Sequence, residues 1–238
     1  MGALHNRFIS DIAWQTTRPA QILDNEVHVY HIKISDNRHQ TDKFTATLDA
    51  GELARANKYH QPKDRTRFII SRGAQRHILS RYVNMAPHLL KFELGDNKKP
   101  FLINNDEVLH YNLTHSADCI LLAIAGVTVG LDVEYIDSAF SYHEILPEHF
   151  SQPEINYTTS PETFFKLWTR KEAFLKATGQ GLGEHLQNTP SLDGEHKLHH
   201  IVNSTGQNWQ CISFNIPGNY VGSLVTPQGT DQYQFYNY

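Results

Sequence analysis

Asp132 and Glu134 stand two residues apart in the run Gly130-Leu131-Asp132-Val133-Glu134. On an extended strand such side chains leave the same face, roughly 6–7 Å apart along the chain. Val133 between them turns the other way, into a core. Two hard carboxylate oxygens on one face suit Mg²⁺, which takes oxygen donors at about 2.0–2.1 Å and keeps several waters. The same triplet also describes a strand whose acids simply face solvent, and taken alone that plainer reading is the commoner.

A second set lies in Trp168-Thr169-Arg170-Lys171-Glu172-Ala173-Phe174-Leu175-Lys176. On a helix, Trp168, Glu172 and Lys176 stack along one edge at i, i+4 and i+8. Phe164, Leu167, Phe174 and Leu175 make the neighbouring apolar face, so Glu172 and Lys176 border core and solvent, where a ligand can be met. The alternative is an ordinary surface pair, worth roughly 0.2–0.5 kcal/mol. A third set, Asn112-Leu113-Thr114-His115-Ser116, puts a histidine between hydroxyls, a group able to hydrogen-bond phosphate oxygens. A loop with a structural histidine fits the same residues, and with 15 histidines in the chain a single one carries little weight. Lys99-Pro100 and the basic set Arg55, Lys58, Lys63, Arg65 and Arg67 complete the candidates; a solvated helix face accounts for the basic set equally well.

These side chains need elements to hold them. Val27–Ser35 alternates apolar and polar residues and predicts a strand. A short helix is predicted over Asp49–Ala56. A longer one follows over Asp64–Asn84, with Phe68, Ile69, Ala74, Ile78, Leu79 and Tyr82 as its apolar stripe. Gly95–Pro100 is a predicted turn, followed by strands near Val108–Leu113 and Cys119–Ala125, with Thr114-His115-Ser116 just beyond the first. The acids lie on a strand over Val127–Ile136, and a short helix is predicted over Tyr142–Phe150. Pro161 starts a strong helix that runs to about Ala177 and ends at Gly179. Strands near Trp209–Asn215 and Tyr220–Val225 close on the turn Pro217-Gly218-Asn219. The order of long helix, then hairpin, occurs once before Gly126 and once after Pro161. This predicts an α+β protein of two similar α/β halves, 1–126 and 127–238, with a ligand cleft between them.

Bulk properties narrow the class. The 238 residues are long for one compact core and comfortable for two, since domains cluster near roughly 100–150 residues. Hydrophobic residues at 39% and charged residues at 19% fit a soluble globular enzyme. A net charge of -4 and a pI near 6.4 exclude a whole-protein basic field for nucleic acid. Cys119 and Cys211 sit in apolar, strand-like runs, which predicts two buried thiols in a reducing compartment. The opening residues MGALHNRFIS hold no apolar run of a secretory signal, and Asn6 stands where a myristoylation signal has Ser or Thr. The apolar stretch Cys119–Val133 is too short to span a bilayer. The expected location is the cytoplasm.

Each motif alone is weak, but their order is specific. K-P, then N-L-T-H-S, then G-L-D-V-E, then W-x-x-K-E-A-x-x-K resembles the 4'-phosphopantetheinyl transferase superfamily, in its larger Sfp-type branch. The resemblance runs from about Arg55 to Leu182. It implies an intramolecular pseudodimer, working as a monomer, that moves phosphopantetheine from coenzyme A onto a serine of an acyl or peptidyl carrier protein. It implies Mg²⁺ held by Asp132, Glu134 and Glu172, with Lys176 on the coenzyme A pyrophosphate. Thr114 and His115 match the family's Ser-His pair near the 3'-phosphate, and Lys99 matches a lysine near the nucleotide. Arg67 and Arg55 match basic residues on and before the N-terminal helix. Glu154, in F-S-Q-P-E, resembles a glutamate that helps to activate the attacking hydroxyl, and Glu172 is the other candidate base. Two rival readings are a Mg²⁺-dependent pyrophosphate hydrolase and a non-catalytic module that binds coenzyme A or carrier protein. The first lacks a helix of repeated glutamates; intact Asp132, Glu134, Glu172 and Lys176 count against the second.

Overall fold

The computed structural model describes residues 2–16, 19, 21, 25–95, 99–103, 109–180 and 185–238. In chain order the strands and helices are β1 (Ala3–Ile9), β2 (Trp14–Gln15), β3 (Glu26–Lys33), α1 (Ile34–Asn37), α2 (Thr41–Thr45), α3 (Ala50–Asn57) and α4 (Pro62–Tyr82). Then come β4 (Phe92–Leu94), β5 (Pro100–Leu102), β6 (His110–Ser116), β7 (Cys119–Ala125) and β8 (Gly130–Tyr135). The remainder is α5 (Leu146–His149), α6 (Gln152–Tyr157), α7 (Pro161–Thr178), β9 (Gly194–Lys197), β10 (Trp209–Ile216), β11 (Tyr220–Pro227) and β12 (Gln232–Asn237).

The chain is a mixed α/β protein built in four layers. One sheet runs β8-β11-β10-β1-β9 and the other β2-β12-β3-β7-β6. Their inner faces pack on each other through Val29, Leu121 and Ala123 on one side and Leu131, Val133 and Phe214 on the other. The outer face of the second sheet, with Tyr30, Ile120 and Leu122, is covered by α4 through Ile69, Ile78 and Leu79. The outer face of the first is covered by α7, where Phe174 and Leu175 pack with Cys211 and Val225. Strand periodicity produces this directly: successive residues serve opposite faces, so one strand feeds two cores.

The halves share a topology. In each, a leading strand (β3 or β8) precedes a long helix (α4 or α7) and a hairpin (β6–β7 or β10–β11), and the hairpin's second strand pairs antiparallel with the leading strand. The ends of the chain cross over. β1, numbered in the first half, pairs with β10 from Leu4↔Trp209 onward. β12, numbered in the second, pairs with β3 from Gln232↔Glu26 onward. Neither strand was expected, because both registers join positions at opposite ends of the chain.

Several boundaries differ from the sequence reading. The predicted strand to Ser35 stops at Lys33, where Ile34 begins a helical turn and its N–H bonds Asp118 O. Thr114-His115-Ser116, expected beyond a strand, lies within β6. The helix expected over Tyr142–Phe150 is one turn, Leu146–His149. Val108 and residues 96–98 of the predicted Gly95–Pro100 turn lie outside the described residues; the flanks pair as β4 and β5. Among the described residues no helix is long and apolar enough to cross a membrane.

α7 is positioned by its ends and by one glycine. Ser160 Oγ accepts the Thr163 N–H at its start, Pro161 occupies the first turn, and Gly179 closes it with φ 71°. Along its length α7 lies close against β8: a Cβ on Gly130 would fall 2.0 Å from Ala173 O and 2.4 Å from Ala177 N. Only glycine lets strand and helix meet there. Gly130→Ala is therefore expected to lose about 1–3 kcal/mol, the cost of overpacking a filled contact. Urea denaturation reads this as a lower midpoint at unchanged slope, and a wild-type midpoint would contradict the contact.

Candidate active site

β6 and β8 are edge strands of different sheets, and they face each other. Side chains bridge them where no strand ladder does. Asn112 Oδ1 accepts the Leu131 N–H at 2.8 Å. Thr114 Oγ1 donates to Asp132 Oδ1 at 3.1 Å. Ser116 Oγ donates to Glu134 Oε2 at 2.7 Å and accepts the Tyr135 N–H at 3.0 Å. These are alternate residues of β6, as strand geometry requires.

α7 brings Glu172 and Lys176 to the same place. Lys176 Nζ donates to Asp132 Oδ1 at 2.6 Å and lies 3.5 Å from Thr114 Oγ1. Asp132 and Glu172 are both buried. Burial holds the Asp132 carboxyl above the usual range, against the pull of Lys176. Burial and then the Asp132 charge push Glu172 to about 7; Lys176 opposes the rise and Glu134 adds to it. Burial raises Glu134 also, opposed by the bond from Ser116.

Three carboxyls thus share one buried corner with a single ammonium. Asp132 Oδ2 is buried there with no hydrogen-bond partner. An acceptor left bare beside two further carboxyls fits a divalent cation. As the side chains are posed, no three His, Cys, Asp or Glu residues among those described are gathered closely enough to hold an ion. Lys176 supplies the positive charge at Asp132 instead.

His115, one residue from Thr114, serves a different cluster. It stands exposed on the α4 side of β6, and the partial desolvation its ring still feels, followed by the charge of Arg67, lowers its pKa, with Lys176 and Arg72 adding to the effect. Arg67 pairs with Asp64 at 3.1 Å. The guanidinium carbons of Arg55 and Arg72 stand 5.3 Å and 5.7 Å from the Phe68 ring centre. Sequence reading missed Arg72; its spacing from Phe68, one helical turn on, was the available signal. Asn112 and Ser116 stood in the third set without their role of holding β8, which alternation with Thr114 marks once β6 is known to be a strand.

Lys99 is spent partly on backbone: its ammonium donates to Val129 O at 3.0 Å and Lys176 O at 2.8 Å, and burial lowers its pKa to about 8. It thereby ties the approach to β8 to the last turn of α7, where carbonyls lack helical partners. It also lines a cavity of about 290 Å³ with Phe101, His110 and Tyr111.

Glu154 requires a correction. It was expected to activate a hydroxyl, but it is buried and its oxygens are taken. Oε2 accepts from Lys171 Nζ at 2.9 Å, Ser151 N–H at 2.7 Å and Ser151 Oγ at 2.9 Å; Oε1 accepts from Ser191 N–H at 2.8 Å and Ser191 Oγ at 2.6 Å. Although burial opposes it, the charge of Lys171 and the bonds from Ser191, Lys171 and Ser151 hold its pKa below the usual range. Such a carboxylate has no lone pair left for a substrate proton. Lys171, wholly buried, also donates to Leu186 O and Thr189 O. Arg170 donates to Ser213 Oγ, Ser191 O and Asp193 Oδ1. These anchors fix the rotation of α7 and so aim Glu172 at β8.

Comparison with known proteins identifies the family. Residues 128–225 match the 4'-phosphopantetheinyl transferase superfamily, and residues 35–126 match the N-terminal region of 4'-phosphopantetheinyl transferases. The chain is 34% identical to the 4'-phosphopantetheinyl transferase HetI of Nostoc sp. over 68% of its own length and 73% of that protein. It is 29% identical to the transferase gsp of Aneurinibacillus migulanus, over 61% of this chain and 62% of that one. To Sfp of Bacillus subtilis it is 21% identical, over 61% and 66%. The chain belongs to the 4'-phosphopantetheinyl transferase superfamily, in the Sfp-type branch. It is an enzyme that transfers phosphopantetheine to carrier proteins.

The buried charge at Glu172 has a pH signature. A carboxyl whose folded pKa lies near 7, against 4.5 unfolded, makes stability fall as pH rises between those values. At roughly 1.4 kcal/mol per pH unit, the loss is roughly 3 kcal/mol in full. In EDTA, Glu172→Gln is expected to be more stable than wild type by roughly 3 kcal/mol at pH 8 but by only about 1 at pH 5. Urea unfolding at the two pH values measures it, and equal gains at both would contradict the buried charge.

Proposed function

We propose that Asp132, Glu134 and Glu172 hold Mg²⁺ against the pyrophosphate of coenzyme A, and that transfer to the carrier serine takes place there. The observation that carries this is the buried corner where three carboxyls, one with a bare oxygen, face a single ammonium. When bound, Mg²⁺ would neutralise pyrophosphate oxygens and the charge growing on the departing adenosine 3',5'-bisphosphate.

The chain's own groups do the rest. Lys176, bonded to Asp132 in the unliganded site, would be free to bind the pyrophosphate and steady the leaving group if a divalent ion took its place at Asp132. Glu172 is the side chain that would take the proton the serine hydroxyl loses as it attacks the β-phosphate, provided it gives up its hold on the ion to do so. His115 with Arg67 and Arg55 receives the 3'-phosphate, on the α4 side of β6. Thr114 steadies Asp132 and Lys176 between that cluster and the acids. Lys99 and its cavity border the nucleotide.

The halves, taken as 1–126 and 127–238 with β1 and β12 exchanged, form an intramolecular pseudodimer whose junction at β6 and β8 holds the site. Their shared order of strand, helix and hairpin supports this reading. One chain then supplies both sides of the cleft and works as a monomer. Two buried, unpaired cysteines fit work in the cytoplasm.

Asp132→Ala and Glu172→Ala are each expected to abolish the mass gain of an apo-carrier incubated with coenzyme A and Mg²⁺, with folded circular dichroism retained. Wild-type yield from either variant would remove that residue from the site.

A further inference from the structure

β6 and β8 touch without a ladder, so the placing of the β8 acids depends on three side chains from β6. Two of them are hydroxyls, and each engages one oxygen of one acid: Thr114 takes Oδ1 of Asp132, and Ser116 takes Oε2 of Glu134. Ser116 is the more constrained. Its single oxygen accepts the Tyr135 N–H at 3.0 Å and donates to Glu134 at 2.7 Å. The backbone bond fixes where the hydroxyl sits, and the hydroxyl then fixes the carboxylate. Only a group that donates and accepts through one atom can do both.

We infer that Ser116 is a positioning residue for Glu134: it holds Oε2 against β6 and so presents Oε1 to a divalent cation shared with Asp132 and Glu172. This rests on the metal reading proposed above. It also divides the N-L-T-H-S segment by strand alternation. Asn112, Thr114 and Ser116 organise the acids, while His115 between them faces the basic cluster on α4.

The test is Mn²⁺ binding, followed by electron paramagnetic resonance in the presence of coenzyme A and the absence of carrier, so that no turnover intervenes. Ser116→Ala is expected to weaken Mn²⁺ binding about tenfold, the usual loss when a partner of a metal ligand is removed. Ser116→Thr, which keeps the hydroxyl, restores most of the affinity. In a Glu134→Gln background, Ser116→Ala adds no further loss, since it acts through that carboxylate. A purely structural serine would weaken binding equally in both backgrounds, and that result overturns the inference. So does wild-type Mn²⁺ affinity in Ser116→Ala. Should that variant melt below the working temperature, Ser116→Cys, of similar size with a weak donor, replaces it, and the same two results decide. Asp132→Asn separates the two levels. If it abolishes Mn²⁺ binding while Ser116→Ala keeps wild-type affinity, only the role of Ser116 falls. If it too leaves binding untouched, the metal reading itself falls and takes the inference with it.

Discussion

Gly130 lets the backbone of α7 settle directly onto the start of β8, and this contact sets the terms for everything near it. Side chains that would otherwise project into solvent are pressed together. Asp132 and Glu134 come from the strand, and Glu172 and Lys176 from the helix one turn apart. Burial first, and then the repulsion of neighbouring carboxylates, makes Glu172 hold its proton up to about pH 7. Lys176 offsets part of that repulsion at Asp132. The corner is therefore an unfavourable arrangement in the unliganded protein, poised to gain from a further positive charge.

Such an arrangement persists only where its surroundings leave no escape. The residues beside Glu172 supply that restraint. Arg170 and Lys171 are buried cations tied to loop carbonyls and to Asp193 and Glu154. Breaking one partner of such a pair strands a buried charge, at a cost of about 3–5 kcal/mol. On the other flank, β6 applies its alternate side chains to β8 where two sheets end. The opposite face of β6 belongs to α4 and its arginines, so one strand lies between an acidic corner and a basic one. The basic side suits a phosphate directly, whereas a diphosphate on the acidic side needs a cation between the charges, in a protein whose net charge is -4.

Much of this was legible in the residues. The period of α7, its proline start and glycine stop, and the same-face spacing of Asp132 and Glu134 follow from helix and strand geometry alone. The crossing of β1 and β12 was not, because pairings such as Leu4↔Trp209 leave no local pattern. Nor were the buried roles of Arg170 and Lys171, which show only once loop carbonyls far along the chain close around them. Glu154 misled for the same reason. As a sequence feature it is an acid near a motif, and only five converging donors reveal it as an anchor. Placing Thr114-His115-Ser116 just beyond a strand hid the alternation that sends the histidine and the hydroxyls to opposite sides.

The central claim is that a divalent cation replaces the Lys176 ammonium among Asp132, Glu134 and Glu172. A crystal structure with coenzyme A and Mn²⁺, using the anomalous signal of manganese, tests it most directly. The account predicts one anomalous peak touching oxygens of all three carboxylates, with Lys176 Nζ turned from Asp132 to a phosphate oxygen. A peak elsewhere, or Lys176 still bonded to Asp132 with the coenzyme in place, would contradict it.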